Sequence, residues 1–235
     1  RIEEQSMKLF CLPYAGGSKI IYYKWKDIIN NDIQLELIEL KGRGSRYGQS
    51  FYIDFEDAVN DVYLNINDKI INDEYAIFGH SMGSLLAFEL YYKLAENGCK
   101  MPRHMFFSGY KAPHCAGKKE MIHNLSDTEF MNEVIKLGGT PVEVVQNDEL
   151  CKLITPILKN DFRILELYKY RSRSNPIECD ITILNGSKDK LTFEELYGWK
   201  IHSKKNTRIL TLEGNHFFIN NNMNKIINII ETTLL

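Results

Sequence analysis

The chain has 235 residues, 44% of them hydrophobic and 26% charged, a composition that excludes a disordered, collagen-like or disulfide-scaffold protein. With 29 basic against 31 acidic residues the net charge is −2, so no global field draws the chain to nucleic acid or to an anionic membrane. Five cysteines without a CxxC pair argue against a metal site or a redox dithiol and fit reduced thiols in a soluble, cytoplasmic protein. The apolar run after the charged first six residues ends at Pro13, too short for a signal-peptide core or a membrane span.

Short apolar runs alternate with longer amphipathic stretches, the pattern of βα units around a mainly parallel sheet. Strands are expected at residues 8–12, 35–40, 75–78, 105–108, 181–184 and 208–212. Helices are expected at 55–71, at 84–96 with Asn97-Gly98 as its C-terminal stop, and at about 222–234. Between residues 112 and 178 the periodicity is helical and no strand is expected. There Ser126-Asp127-Thr128-Glu129 reads as a capping box opening a helix that stops at Gly138-Gly139, and residues 148–170 read as a second helix kinked at Pro156. The expectation is one domain over 1–235 with a helical insertion at 112–178, which serves either as extra packing or as a lid over a site. As a lid, it would shield an apolar channel with Phe130, Val134, Leu137, Leu153, Ile154 and Ile157.

The strand at 75–78 runs through Gly79-His80-Ser81-Met82-Gly83 into a helix, the context that a GxSxG nucleophile elbow requires. The elbow strains the serine backbone, and small residues two before and two after it let strand and helix approach. A serine hydroxyl needs a neutral histidine as base and a carboxylate to orient that histidine. Of the six histidines only His216 follows a terminal strand, in Glu213-Gly214-Asn215-His216-Phe217-Phe218. His80 is adjacent to the serine and points away from it. No acid follows the strand at 105–108, whereas Asn185-Gly186-Ser187-Lys188-Asp189 follows the strand at 181–184. Asp189 is therefore the expected orienting acid, with Asp161 and Asp180 as weaker candidates. The order Ser81, Asp189, His216 is that of the α/β-hydrolase fold.

An oxyanion formed at such a serine needs two preorganised donors. The backbone N–H of Met82 is one, and the glycine-rich loop Pro13-Tyr14-Ala15-Gly16-Gly17 offers the N–H of Ala15 as the other. Neither GxGxxG nor GxxxxGK[ST] follows a strand, so no dinucleotide or phosphate loop is indicated.

With these residues in place the chain resembles the stand-alone type II thioesterases that accompany nonribosomal peptide and polyketide synthetases. The likeness covers nearly the whole chain. It runs through Leu12-Pro13-Tyr14-Ala15-Gly16-Gly17, Gly42-Arg43-Gly44-Ser45-Arg46, the elbow, Ser108-Gly109-Tyr110-Lys111-Ala112-Pro113, Gly138-Gly139-Thr140-Pro141, Asn160-Asp161-Phe162, and the loops carrying Asp189 and His216. The resemblance implies an α/β-hydrolase fold, with hydrolysis of acyl groups from the phosphopantetheine arm of acyl- or peptidyl-carrier domains. It also implies an insertion that acts as a lid, and no cofactor beyond the phosphopantetheine the substrate carries. Lys41, Lys111 and Asn215 depart from the family's usual residues, and Asn215 bears on the path of the His216 loop. Carrier domains are acidic, which makes Lys118-Lys119 and Lys169, Arg171 and Arg173 docking candidates. The triad alone does not name the acyl donor, so a carboxylesterase or acyltransferase of the same fold stands as the alternative.

Overall fold

Residues 7–115, 120–136, 138 and 147–235 are described by the structure, a computed structural model. Lys118, Lys119, Leu137 and Gly139-Thr140-Pro141 lie outside the described residues.

Six strands, β1 (Met7–Leu12), β2 (Ile33–Leu37), β3 (Glu74–His80), β4 (His104–Ser108), β5 (Asp180–Gly186) and β6 (Thr207–Leu212), form one sheet in the order β2-β1-β3-β4-β5-β6. Every neighbouring pair is parallel. Side chains alternate across a strand, and here both faces are covered, which is why the strands read as continuous apolar runs. Phe10, Leu12, Tyr75, Ile77, Met105 and Phe107 face helices α1 (Phe55–Ile66) and α2 (Met82–Glu96). Leu9, Cys11, Ala76, Phe78 and Phe106 face Tyr22, Trp25 and the C-terminal helix. The five cysteines form no disulfide.

The chain leaves β1 for β2 on one side and returns to β3 on the other side of β1. Such a reversal opens a crevice beyond the carboxyl ends of the two strands, where α/β proteins place ligands. The Pro13-Tyr14-Ala15-Gly16-Gly17 loop leaves β1 at that edge, and Ser81 leaves β3 there.

The second strand ends three residues earlier than expected. Ile38 and Leu40 are buried, at 4% and 0% exposure, and pack toward α1; the Ile38 N–H still donates to the Cys11 carbonyl of β1 at 3.1 Å, whereas at Leu40 apolarity marks burial beyond the end of the strand. The reading of 55–71 as one helix is also too long: α1 stops at Ile66 and a short 3-10 turn follows. A nine-residue 3-10 helix, Lys19–Asp27, was not expected at all. It is held by tertiary packing: Trp25 sits edge-on to Phe78 at 5.0 Å, and the Tyr22 hydroxyl donates to the Leu12 carbonyl at 2.7 Å.

Between β4 and β5 the described residues hold helices α3 (Asp127–Lys136) and α4 (Asp148–Leu167) and no strand. The capping box is present, with Glu129 N–H donating to Ser126 Oγ at 3.3 Å and Ser126 N–H to Glu129 Oε2 at 3.1 Å. Phe130 and Val134 are buried with Met131 and Leu158 in a small core of their own. These two side chains hold α3 to α4 and are not free to wall an open channel; Leu153 is 48% exposed. The insertion is tied to the sheet domain through α4, where the Arg163 guanidinium donates to the Tyr52 and Ile53 carbonyls at 2.8 Å each. Helix α5 (Phe193–Tyr197) lies between β5 and β6, and α6 (Met223–Leu234) follows β6.

Candidate active site

Ser81 has φ 54° and ψ −117° and is the one non-glycine residue with positive φ among the described residues. A side chain in that region costs about 1–3 kcal/mol and persists only where the surroundings over-determine it. Three contacts do so. The Ser81 N–H donates to the Ser108 carbonyl at 2.7 Å. A Cβ on Gly79 would lie 2.1 Å from the Gly83 carbonyl oxygen, and one on Gly83 would lie 2.3 Å from that of Leu12. Strand and helix can therefore meet only as glycines, and the serine is driven to the apex between them. Ser84 stitches the turn from below, its one hydroxyl proton shared between the carbonyls of Gly79 and Ser108 at 2.7 and 2.8 Å while its Oγ accepts from Ser108 N–H at 2.9 Å.

His216 Nε2 lies 2.9 Å from Ser81 Oγ, and His216 Nδ1 lies 2.9 Å from Asp189 Oδ2. A carboxylate only accepts, so Nδ1 carries the proton and Nε2 presents its lone pair to the serine hydroxyl. The other carboxylate oxygen, Asp189 Oδ1, accepts the Lys190 N–H at 2.7 Å, which fixes the plane of the acid. Gly186 at the end of β5 lets the histidine loop pass, since a Cβ there would lie 2.4 Å from the Asn215 carbonyl. Asn215, where the loop path was open to question, caps that loop: its Oδ1 accepts the Phe217 N–H at 2.9 Å.

The remaining acids and histidines go elsewhere. Asp180 accepts the Asn206 N–H, and Asp161 binds Arg43 and Gly16. His104 pairs with Thr182, His114 with His202, and His123 with Glu166. Burial holds His104 and His202 down to about 4, so both stay neutral near pH 7.

One contributor was missed in the sequence. His80 is fully buried and supports the His216 loop. Its Nε2 donates to the His216 carbonyl at 3.0 Å, and its Nδ1 accepts from the Ser108 hydroxyl at 2.8 Å. Burial, and then the neighbouring His216, hold the His80 ring well below the usual histidine range, so it stays neutral with one donor and one acceptor. No local pattern announces a partner 136 residues away.

The β1 loop lies across the N-terminus of α2, within reach of a Cβ on Gly83 through Leu12 and Pro13. Its turn is closed by Gly17 N–H donating to the Tyr14 carbonyl at 2.9 Å, and Tyr14 meets Phe217 of the histidine loop edge-on at 5.1 Å. Met82 opens α2, where the first N–H groups of a helix have no intrahelical acceptor. A separate groove of about 340 Å³, lined by Phe55, Val59, Tyr92, Ile164, Leu167 and Arg173 among others, includes none of Ser81, Asp189 and His216. Arg173, one of the docking candidates, turns inward there to pair with Glu89, while Lys169 and Arg171 are exposed. Among the described residues, no group of three His, Cys, Asp or Glu side chains is placed to hold a metal ion, and no helix is long and apolar enough to cross a membrane.

A family model described as a thioesterase domain matches residues 7–234. The chain is 34% identical to gramicidin S biosynthesis protein GrsT of Aneurinibacillus migulanus, over 91% of this chain and 83% of that one. It is also 34% identical to a Brevibacillus parabrevis protein named linear gramicidin dehydrogenase LgrE, over 98% of this chain and 89% of that one. The crystal structure of ClbQ from the colibactin NRPS/PKS pathway superposes with a TM-score of 0.93 at 37% identity, covering 97% of each chain.

Proposed function

Because the chain belongs to the thioesterase family, we propose that this α/β-hydrolase-fold thioester hydrolase frees acyl groups from the phosphopantetheine arm of acyl- or peptidyl-carrier domains, clearing stalled or wrongly primed modules of a nonribosomal peptide or polyketide synthetase. The observation that carries the reading is the continuous hydrogen-bonded chain Ser81–His216–Asp189, with both links at 2.9 Å, at the crevice between β1 and β3. ClbQ is named as a protein of an NRPS/PKS pathway and GrsT as one of gramicidin S biosynthesis, and the match over nearly the full length supports the same class of substrate here.

In this reading Ser81 Oγ attacks the thioester carbonyl carbon as its proton passes to His216 Nε2, and Asp189 stabilises the imidazolium that forms. The oxyanion is held by the N–H groups of Ala15 and Met82. On collapse the C–S bond breaks and His216 returns the proton to the leaving thiolate, which, with an ordinary thiol pKa of about 8.5, leaves more readily than an alkoxide. Water, deprotonated by the same Nε2, then releases the acid from the acyl-serine. The insertion covers this edge as a lid: a Cβ on Gly138, at the end of α3, would lie 3.1 Å from the Asn215 side chain. The phosphopantetheine arrives with the substrate, so no resident cofactor is needed, and five cysteines that form no disulfide suit a cytoplasmic setting.

The test presents one acyl group on a carrier protein, on coenzyme A and as an oxygen ester. The carrier form is expected to have the highest kcat/KM, by a margin that shrinks as salt shortens the Debye length from about 10 Å at 0.1 M. Equal kcat/KM for carrier and coenzyme A at low salt would mean a general thioesterase, and preference for the oxygen ester an esterase.

A further inference from the structure

The Gly42-Arg43-Gly44 and Asn160-Asp161-Phe162 motifs meet in space although no catalytic step uses them. Asp161, in the middle of α4, is wholly buried, and Arg43 is 3% exposed. The guanidinium donates to both carboxylate oxygens, Nη1 to Oδ2 at 2.6 Å and Nη2 to Oδ1 at 2.7 Å. Asp161 Oδ2 also accepts the Gly16 N–H at 2.7 Å, and Arg43 Nη1 reaches the Gly17 carbonyl at 3.2 Å. A buried carboxylate without a partner is strongly destabilising; the bidentate arginine is what lets a charged acceptor stand beside this loop.

We infer that Asp161 is a positioning residue for the oxyanion hole, through which the insertion helix sets the direction of the Ala15 N–H. A peptide unit is planar, with its C=O and N–H on opposite sides. The unit joining Tyr14 to Ala15 is held by the Gly17 N–H on its carbonyl. The next unit is held by Asp161 on the Gly16 N–H, and the one after Gly17 by Arg43 on its carbonyl. The Arg43–Asp161 pair thus grips two of the units that follow the proposed donor, and with them the turn that aims it. The grip is local to the helix: Gly16 has φ +75°, and a Cβ on it would lie 2.3 Å from Leu158 Cδ2, one turn before Asp161. Withdrawing α4 from the sheet domain withdraws the acceptor, so insertion position and oxyanion geometry are one variable.

The inference rests on Ala15 as an oxyanion donor, so the wild-type protein is first tested with an acyl trifluoromethyl ketone, whose carbonyl carbon takes Ser81 Oγ to give a tetrahedral oxyanion. The key variant is R43M/D161L, which removes both charges together and leaves neither buried alone. We expect its urea midpoint and KM to stay near wild type while kcat falls about 10²-fold, the scale of losing one oxyanion donor, with ketone affinity falling in parallel. D161N, which keeps the bulk and one acceptor oxygen, is expected to lose about tenfold in kcat and in ketone affinity, and it carries the test should the double variant fail to fold. R43Q/D161N, a neutral pair that restores an acceptor for Gly16, is expected to recover most of the double variant's loss. A purely structural staple would make turnover follow the urea midpoint. Ketone affinity within threefold of wild type in the folded variants overturns the role of Asp161. Absence of a ketone adduct on wild-type Ser81 overturns the reading of the site itself.

Discussion

His80 Nε2 lies 3.0 Å from the backbone carbonyl oxygen of His216, so the residue before the elbow serine carries the loop that brings the base to it. The proposed nucleophile and base are thereby referenced to the same strand end. Replacing His80 with Ala removes the prop and leaves the Ser108 hydroxyl without its acceptor. A displacement of about 1 Å at a catalytic group costs about 10²-fold, so kcat is expected to fall by one to two orders of magnitude with KM little changed. A fall in KM-controlled binding with normal kcat would contradict a positioning role.

Asp189→Asn should lower kcat by about 10⁴, because the amide favours the wrong His216 tautomer while preserving shape. Steady-state hydrolysis checks this, with fluorophosphonate labelling of Ser81 as a second readout that should slow in step. Retention of most of the rate would require another acid, and Asp161 and Asp180 are both engaged away from His216.

The strain at Ser81 predicts a stability difference between two inactive variants. Ser81→Ala keeps a Cβ at φ 54°, whereas Ser81→Gly does not, and the glycine variant should be more stable than the alanine variant by about 1 kcal/mol. Urea unfolding of the pair measures it. Equal midpoints would mean that the backbone strain is negligible.

Glycine substitutions separate steric need from backbone preference. Gly83→Ala drives a Cβ to 2.3 Å from the Leu12 carbonyl and should abolish turnover and cost more than about 2 kcal/mol. Gly98→Ala, at φ +64° with open space around it, carries only the left-handed penalty of about 1–2 kcal/mol and should leave kcat unchanged. Circular dichroism melts and kinetics on both variants check the contrast.

Stability should fall in acid through the buried histidines. His104 and His202 titrate near 4 in the folded chain because burial disfavours their charge, and near their ordinary 6.5 when unfolded. The unfolded chain therefore binds these protons first: stability is full above about pH 6.5 and is lost as pH falls toward about 4. His202→Asn should flatten the slope of unfolding free energy against pH in that window by about one proton. An unchanged slope would show that His202 does not enter the linkage.

Local sequence was sufficient wherever a feature rests on near neighbours. The six strands, the capping box at Ser126 and the glycines of the elbow follow from periodicity and sterics within a few residues. Even the choice of Asp189 and His216 follows from which loops succeed which strands, because a parallel sheet sends all such loops to one edge. The sequence also suffices for family membership through the order of its motifs. What it leaves open depends on contacts between segments that no local pattern joins. Leu40 is apolar for burial beyond the end of its strand, a distinction periodicity lacks. Phe130 and Val134 show a helical apolar face, but only packing reveals that α4 occupies it. His80 and Asp161 are each polar residues in apolar surroundings, and a buried polar group has a meaning only once its partner is known: the carbonyl of His216 in one case, Arg43 and the Gly16 N–H in the other. Hydrogen bonds of that kind are decided by the direction of a few lone pairs and N–H vectors in the folded chain, which no spacing along the backbone encodes.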